Sequence, residues 1–310
     1  MIRSWLAGVS VAWVWAAAAS GQVVNPADKQ REMQESSEES KTRTVYVERQ
    51  AQAAPEPRAS YELPPVEVVG EPVPANREEQ RIGPYAQPRW TARRTFPGTR
   101  VYVRPPGTAE LEYWFRPTVT KDGDTEIRNL FELSLGFEPR LQLDLYLRTD
   151  QEGDDSEMLL GQQIELRYAL ADWGRLWGNP TLYVEWVSLE QRPDAFEAKL
   201  LLGDELAPTW HWGVNLSGEF QTGGEREYEY QLTGGLTHTL IDSKLSLGAE
   251  TILELTDVQD DRGDFDTSLL LGPSVQFKPT ERINITFSPL VGLTSESPDF
   301  RAYLVVGYEF

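Results

Sequence analysis

From Thr108 to the C-terminus, apolar and polar residues alternate with a period of two in runs of roughly ten residues. Leu111, Tyr113 and Phe115 interleave with Glu110, Glu112, Trp114 and Arg116. Leu141, Leu143, Leu145 and Leu147 interleave with Gln142, Asp144, Tyr146 and Arg148, and Ile164, Leu166 and Tyr168 with Glu165 and Arg167. Successive side chains of a strand point to opposite faces, so each run makes a ribbon with one apolar and one polar face. Strands of soluble sandwiches alternate too, but their usual length is about 5–6 residues. Longer alternating runs broken by turn residues are the mark of an antiparallel transmembrane β-barrel.

The pattern predicts about twelve strands, at 108–118, 126–137, 139–149, 157–169, 180–189, 194–203, 208–221, 227–239, 243–255, 264–277, 281–292 and 300–310. The connections fall into two alternating kinds. One set is polar and acidic, as in Lys121-Asp122-Gly123-Asp124 and Gln151-Glu152-Gly153-Asp154-Asp155; the other is tighter, as in Glu138-Pro139-Arg140 and Asp242-Ser243-Lys244. An even strand number brings both ends of the barrel to one side. A secreted chain starts from the periplasm, so the acidic set is expected outside and the tight set in the periplasm.

The first residues support secretion. Arg3 precedes an apolar run from Trp5 to Ala18, followed by small residues through Gly21, which reads as a signal peptide over 1–21. Residues 22–107 are expected to be a largely disordered periplasmic segment, since they are rich in Glu, Gln, Ser, Ala and Pro until about residue 88. Within it, Val66-Glu67-Val68-Val69-Gly70 is a β-prone run between prolines, able to pair with a sheet edge of a periplasmic partner, or simply a stiff linker. Residues 89–106 differ, being basic and aromatic (Trp90, Arg93, Arg94, Phe96, Arg100, Tyr102, Arg104), and are expected at the barrel mouth or inside it. Residues 108–310 form the barrel.

Composition narrows the functional classes. No cysteine is present, which removes disulfides and thiolate metal sites, and two histidines, His211 and His238, are too few for a His-built centre. No cofactor or metal is implied. A formal charge of −20 argues against a nucleic-acid partner, which clustered Lys and Arg would attract.

Lipid cannot solvate polar groups, so the apolar face must point outward. Taking Ala302, Leu304, Val306, Tyr308 and Phe310 as outward and propagating that choice places the charged set inside. The expected lumen-lining residues are Glu112, Arg116, Glu132, Asp144, Glu165, Arg167, Glu185, Lys199, Glu219, Glu229 and Glu250, in which acids dominate. Unpaired buried charges are very costly, so this lumen is either water-filled or cross-linked by ion pairs. Aromatics expected in an interfacial girdle near the periplasmic rim are Phe137, Trp173, Trp177, Trp210, Trp212, Phe277 and Phe310.

The final run, Tyr303-Leu304-Val305-Val306-Gly307-Tyr308-Glu309-Phe310, resembles the C-terminal β-signal of bacterial outer-membrane β-barrel proteins. The resemblance implies a Gram-negative outer-membrane location, with Leu304, Val306, Tyr308 and Phe310 as the assembly signal. It also implies the barrel-assembly machinery, periplasmic chaperones, outer-membrane lipid and lipopolysaccharide as partners. The expected function is a passive, porin-like channel or small-solute transporter with an acidic lumen. A non-conducting structural or tethering barrel is the alternative. A phospholipase-like enzyme would need a serine beside an outward histidine; His238 is outward, but its alternate neighbours are Leu236 and Leu240, so no catalytic residue is assigned.

Overall fold

The computed structural model describes residues 76–153, 158–224, 226–259 and 262–310. The signal peptide, residues 22–75 of the N-terminal stretch and the run Val66-Glu67-Val68-Val69-Gly70 lie outside the described residues.

Twelve strands close into one antiparallel barrel. In chain order they are β1 (Ala109–Val119), β2 (Thr125–Phe137), β3 (Leu141–Gln151), β4 (Met158–Ala169), β5 (Thr181–Leu189) and β6 (Ala195–Ala207). The second half comprises β7 (Trp210–Gln221), β8 (Tyr228–Ile241), β9 (Leu245–Asp257), β10 (Asp266–Phe277), β11 (Ile283–Gly292) and β12 (Phe300–Glu309). Each strand pairs with its sequence neighbours, and β12 returns to β1 with Glu309 opposite Glu110 and Phe300 opposite Val119. Closure leaves no unpaired edge, which a hydrocarbon environment requires.

Every expected strand is found, with ends displaced by a few residues. The strand expected from 139 starts at Leu141, because Arg140 sits in a left-handed turn at φ 55°. The strand expected to stop at 203 continues to Ala207, through an irregularity between Glu205 and Ala207. Asp204 and Glu205 fall between the expected strands 194–203 and 208–221, yet Glu205 faces Arg81 and Trp90 of an inner segment.

The two faces are distinct. Leu145, Leu147, Ile164, Leu166, Leu182 and Val184 are exposed on the outside, whereas Asp144, Glu132, Glu112 and Glu165 are buried on the inside. Phe137, Trp177, Trp210, Phe277 and Phe310 are exposed at the short-turn end, and Trp212 lies against Trp177 with ring centroids 5.8 Å apart. Trp173 departs from the expected girdle. It is buried and meets Tyr102 and Trp90 edge-on, because the link from β4 to β5 folds inward onto the inner segment.

That inner segment is residues 76–107, the described part of the stretch before the barrel. It begins with a 3-10 turn at Arg77–Glu79, capped by the Asn76 side chain accepting from the Glu78 N–H. A two-rung ladder then pairs Arg81–Ile82 with Gln87–Pro88. A second 3-10 turn, Arg89–Ala92, leads into an irregular run through the barrel interior. Trp90, Phe96, Val101, Tyr102 and Val103 are all buried there and cluster with Tyr85, Ala169 and Trp173. Burying side chains of this size is worth about 1.5–3 kcal/mol each. Of the two positions expected for residues 89–106, mouth or interior, the interior is the one observed.

Candidate functional site in the barrel lumen

The lumen wall supplies carboxylates and the inner segment supplies the guanidinium groups that meet them. Arg94 Nε donates to Glu112 Oε2 at 2.9 Å and a terminal nitrogen donates to Glu132 Oε2 at 3.1 Å. Its guanidinium also lies 3.7 Å over the Trp114 ring. Arg100 pairs with both Glu112 and Glu132. Arg104 pairs with Glu110 and reaches Glu309, which Arg93 approaches at 3.4 Å. Glu110, Glu112 and Glu132 are at most 1% exposed, so each would carry a large desolvation cost without these partners.

Neutral contacts extend this attachment. The Arg94 carbonyl accepts from Gln276, Asn284 and Thr286, at 2.6, 2.9 and 3.1 Å. The Gly98 N–H donates to Glu250 at 3.0 Å, the Arg104 N–H donates to Gln142 at 2.7 Å, and the Thr99 and Thr233 hydroxyls are 3.0 Å apart. Bonds and close contacts therefore tie the segment to β1–β3 and β6–β12. At the short-turn mouth, Lys278 Nζ lies 2.6 Å from Glu78, both buried. Burial holds the Lys278 ammonium below its ordinary range, against the opposing pull of Glu78. The buried Tyr102 phenol, donating to the Ala171 carbonyl at 2.6 Å, is pushed up by burial and by Asp172.

A row of glycines makes room for the segment's side chains. Gly203, Gly213 and Gly235 stand opposite one another on β6, β7 and β8. A Cβ at Gly235 would collide with the Phe96 ring, and one at Gly203 with Val101. At Gly213 it would come within 3.0 Å of Thr99 and 3.1 Å of Val101. Missing side chains let the segment approach the wall at close range, a use of glycine inside strands that costs β propensity.

The remaining expected lumen residues divide by depth. Asp144, Glu165 and Arg167 form a buried wall network, in which Arg167 lies 3.0 Å from Asp144, pairs with Glu165, and Tyr146 donates to Glu165 at 2.6 Å. Glu185 accepts from the Tyr183 hydroxyl. Lys199 pairs with Glu197 at 2.8 Å. Arg116, Glu219 and Glu229 are half-buried nearer the acidic loops, and Glu250 is buried against Gly98. In the half of the barrel nearer the short turns, ion pairs cross-link the lumen.

Among the expected assembly residues, Val306, Tyr308 and Phe310 are exposed on the outer face and Leu304 is half-buried. The Tyr308 and Phe310 rings meet edge-on with centroids 5.2 Å apart. His211 is 1% exposed and stacks on Trp90 at 4.4 Å between centroids. His238 stacks on Trp210 at 4.5 Å, with Nδ1 3.0 Å from the Thr209 hydroxyl. Among the described residues no group of three metal-ligating side chains converges.

Sequence reasoning identified the wall carboxylates and the basic, aromatic run separately but did not pair them. It also missed the glycine row. A signal was present: Gly203, Gly213 and Gly235 each occupy an inward position of an alternating run, where a side chain is otherwise expected.

No protein-family model matches the sequence, and no curated protein matches it. Among solved structures, the chain is similar to an outer-membrane channel from Pseudomonas putida F1, with a TM-score of 0.53 and 13% identity over 70% of this chain and 100% of that one. Similarity also extends to the KdgM porin, at TM-score 0.46 and 12% identity over 65% of this chain and 99% of that one. The NanC porin matches at TM-score 0.47 and 11% identity, over 64% and 98%. At this level of identity the likeness is one of fold: the chain is a closed β-barrel of the outer-membrane type.

Proposed function

We propose that this chain is an outer-membrane channel for small solutes whose lumen is held shut by its own residues 76–107. The carrying observation is how the segment is attached. Arg94 and Arg100 bridge Glu112 and Glu132 across the interior, while Phe96 and Val101 sit in the glycine row. These are side-chain contacts that can be broken without disturbing the wall ladders, so the segment can leave while the barrel stays closed on itself. Withdrawal would bare Glu110, Glu112, Glu132, Asp144 and Glu165, giving the opened pore an acidic lining and a preference for cations. In this reading Leu304, Val306, Tyr308 and Phe310 serve as the assembly signal, and the short turns and the segment face the periplasm. The solved channel of similar fold is consistent with this role.

Conductance in a planar bilayer tests the proposal, using three forms of the protein. The full chain is expected to be mostly closed, and deletion of residues 76–106 to give steady, cation-selective steps. The chain has no cysteine, so a Thr99→Cys, Thr233→Cys pair offers a clean lock across a 3.0 Å contact. That form should be silent when oxidised and recover on reduction. A folded deletion form that conducts nothing would refute the channel and leave a structural or tethering barrel.

A further inference from the structure

The half of the lumen nearer the acidic loops holds a basic cluster that the segment does not touch. Arg116 on β1 stands opposite Arg128 on β2, which stands opposite Asp150 on β3. Arg148 lies two positions from Asp150 on the same inner face, and Arg301 on β12 stands opposite Thr118, two positions from Arg116.

The counter-charges are too few. Asp150 serves both Arg128, at 2.9–3.1 Å, and Arg148, at 2.8 and 2.5 Å. Glu254 is taken by Arg301 at 2.6 Å. Arg116 has no ion pair among the described residues, and its Nε is buried with no hydrogen-bond partner. The charged and titratable groups facing Arg116 are Arg301, Arg148, Asp150 and Tyr303. Those facing Arg128 are Arg116, Arg148 and Asp150, and Glu219 acts on both Arg128 and Arg148. Arg128 and Arg148 thus share Asp150, with Glu219 the further carboxylate acting on both, and Arg116 is left with a buried donor open.

Such an arrangement selects for a planar or tetrahedral oxyanion. Guanidinium presents paired N–H donors that match carboxylate and phosphate oxygens, and bonds to an ionised acceptor are the stronger kind. A buried unpartnered donor contributes most when an acceptor arrives, because its desolvation cost is already present. We propose that Arg116, with Arg128 and Arg148, forms a binding site for the carboxylate or phosphate group of a small solute on the loop side of the inner segment. The binding does not rest on the channel reading: the cation preference belongs to the carboxylates under the inner segment, and this cluster lies on the loop side of them.

The test is a titration of the full chain in detergent micelles with inorganic phosphate at constant ionic strength, followed through the arginine side-chain Nε–H resonances. Saturable shifts of the Arg116 and Arg128 signals are expected, with chloride at matched ionic strength producing none. Arg116→Gln should weaken phosphate binding about tenfold or more. Arg116→Lys, which keeps the charge without the fork, should fall between the two, and Lys121→Gln, at an exposed loop pair with Asp299, should bind as the unaltered chain does. If Arg116→Gln does not give a folded barrel, Arg116→Lys carries the decision. Non-saturable shifts that match the chloride control, or an unchanged affinity in the Arg116 variants, would overturn the site. Neither result bears on the conductance of the deletion form, so the two proposals fail separately.

Discussion

Arg94→Met removes the guanidinium that joins the inner segment to two wall strands while keeping a side chain of similar length. Four interactions go with it: the hydrogen bonds to Glu112 and to Glu132, the bond to the Pro97 carbonyl at 3.2 Å, and the stack over Trp114. Breaking one side of a buried ion pair typically costs about 3–5 kcal/mol. Here Arg100 still faces both carboxylates, which places the loss at the lower end. The stack adds about 1 kcal/mol and the Met side chain returns part of it through packing. A net cost of about 3 kcal/mol shifts the balance between seated and withdrawn segment roughly a hundredfold. Thr99 is 2% exposed, so a Thr99→Cys reporter reacts with a water-soluble maleimide only when the segment leaves. With reclosure faster than labelling, the labelling rate follows the withdrawn fraction and should rise roughly a hundredfold in Arg94→Met. Heat-modifiable migration on a gel checks that the barrel remains folded. A rise of less than about threefold in a folded barrel would show that the pairing does not hold the segment, and the gating proposal would lose its basis.

Other perturbations probe separate parts of the structure. Gly235→Ala puts a methyl group into the Phe96 ring, so it should speed labelling of the same reporter, and Phe96→Ala in the same chain should reverse much of that effect. Lys278→Met leaves Glu78 buried without its cation and should loosen the mouth by about 3 kcal/mol, whereas Glu281→Gln, at an exposed pair with Arg77, should change labelling little. Leu145→Arg places a charge on the lipid face and should destabilise the barrel by about 2–4 kcal/mol in urea titrations in lipid vesicles. Removal of Phe310 should lower the amount of folded barrel recovered from outer membranes, with little effect on refolding of the purified chain into detergent; equal recovery would argue against its role as an assembly signal.

The barrel was legible in the sequence because its information is local. Alternation such as Leu141-Gln142-Leu143-Asp144 states the strand and its two faces within a few residues, and antiparallel neighbours joined by short turns need no long-range information to find one another. The apolar face turned outward as expected, and residues such as Glu112, Asp144 and Glu165 turned inward. What occupied the lumen was not legible in that way. Arg94 meets Glu112 and Glu132 across 18 and 38 residues, and Arg93 meets Glu309 across 216. No periodicity encodes which charge of one segment faces which charge of another once the barrel has closed. The glycine row is likewise invisible along the chain, since Gly203, Gly213 and Gly235 become neighbours only through strand register. The chain by itself determined the wall, because a strand's pattern is written residue by residue. Only the tertiary structure decided that the half of the lumen nearer the short turns is filled, because that depends on charges and gaps that closure brings together.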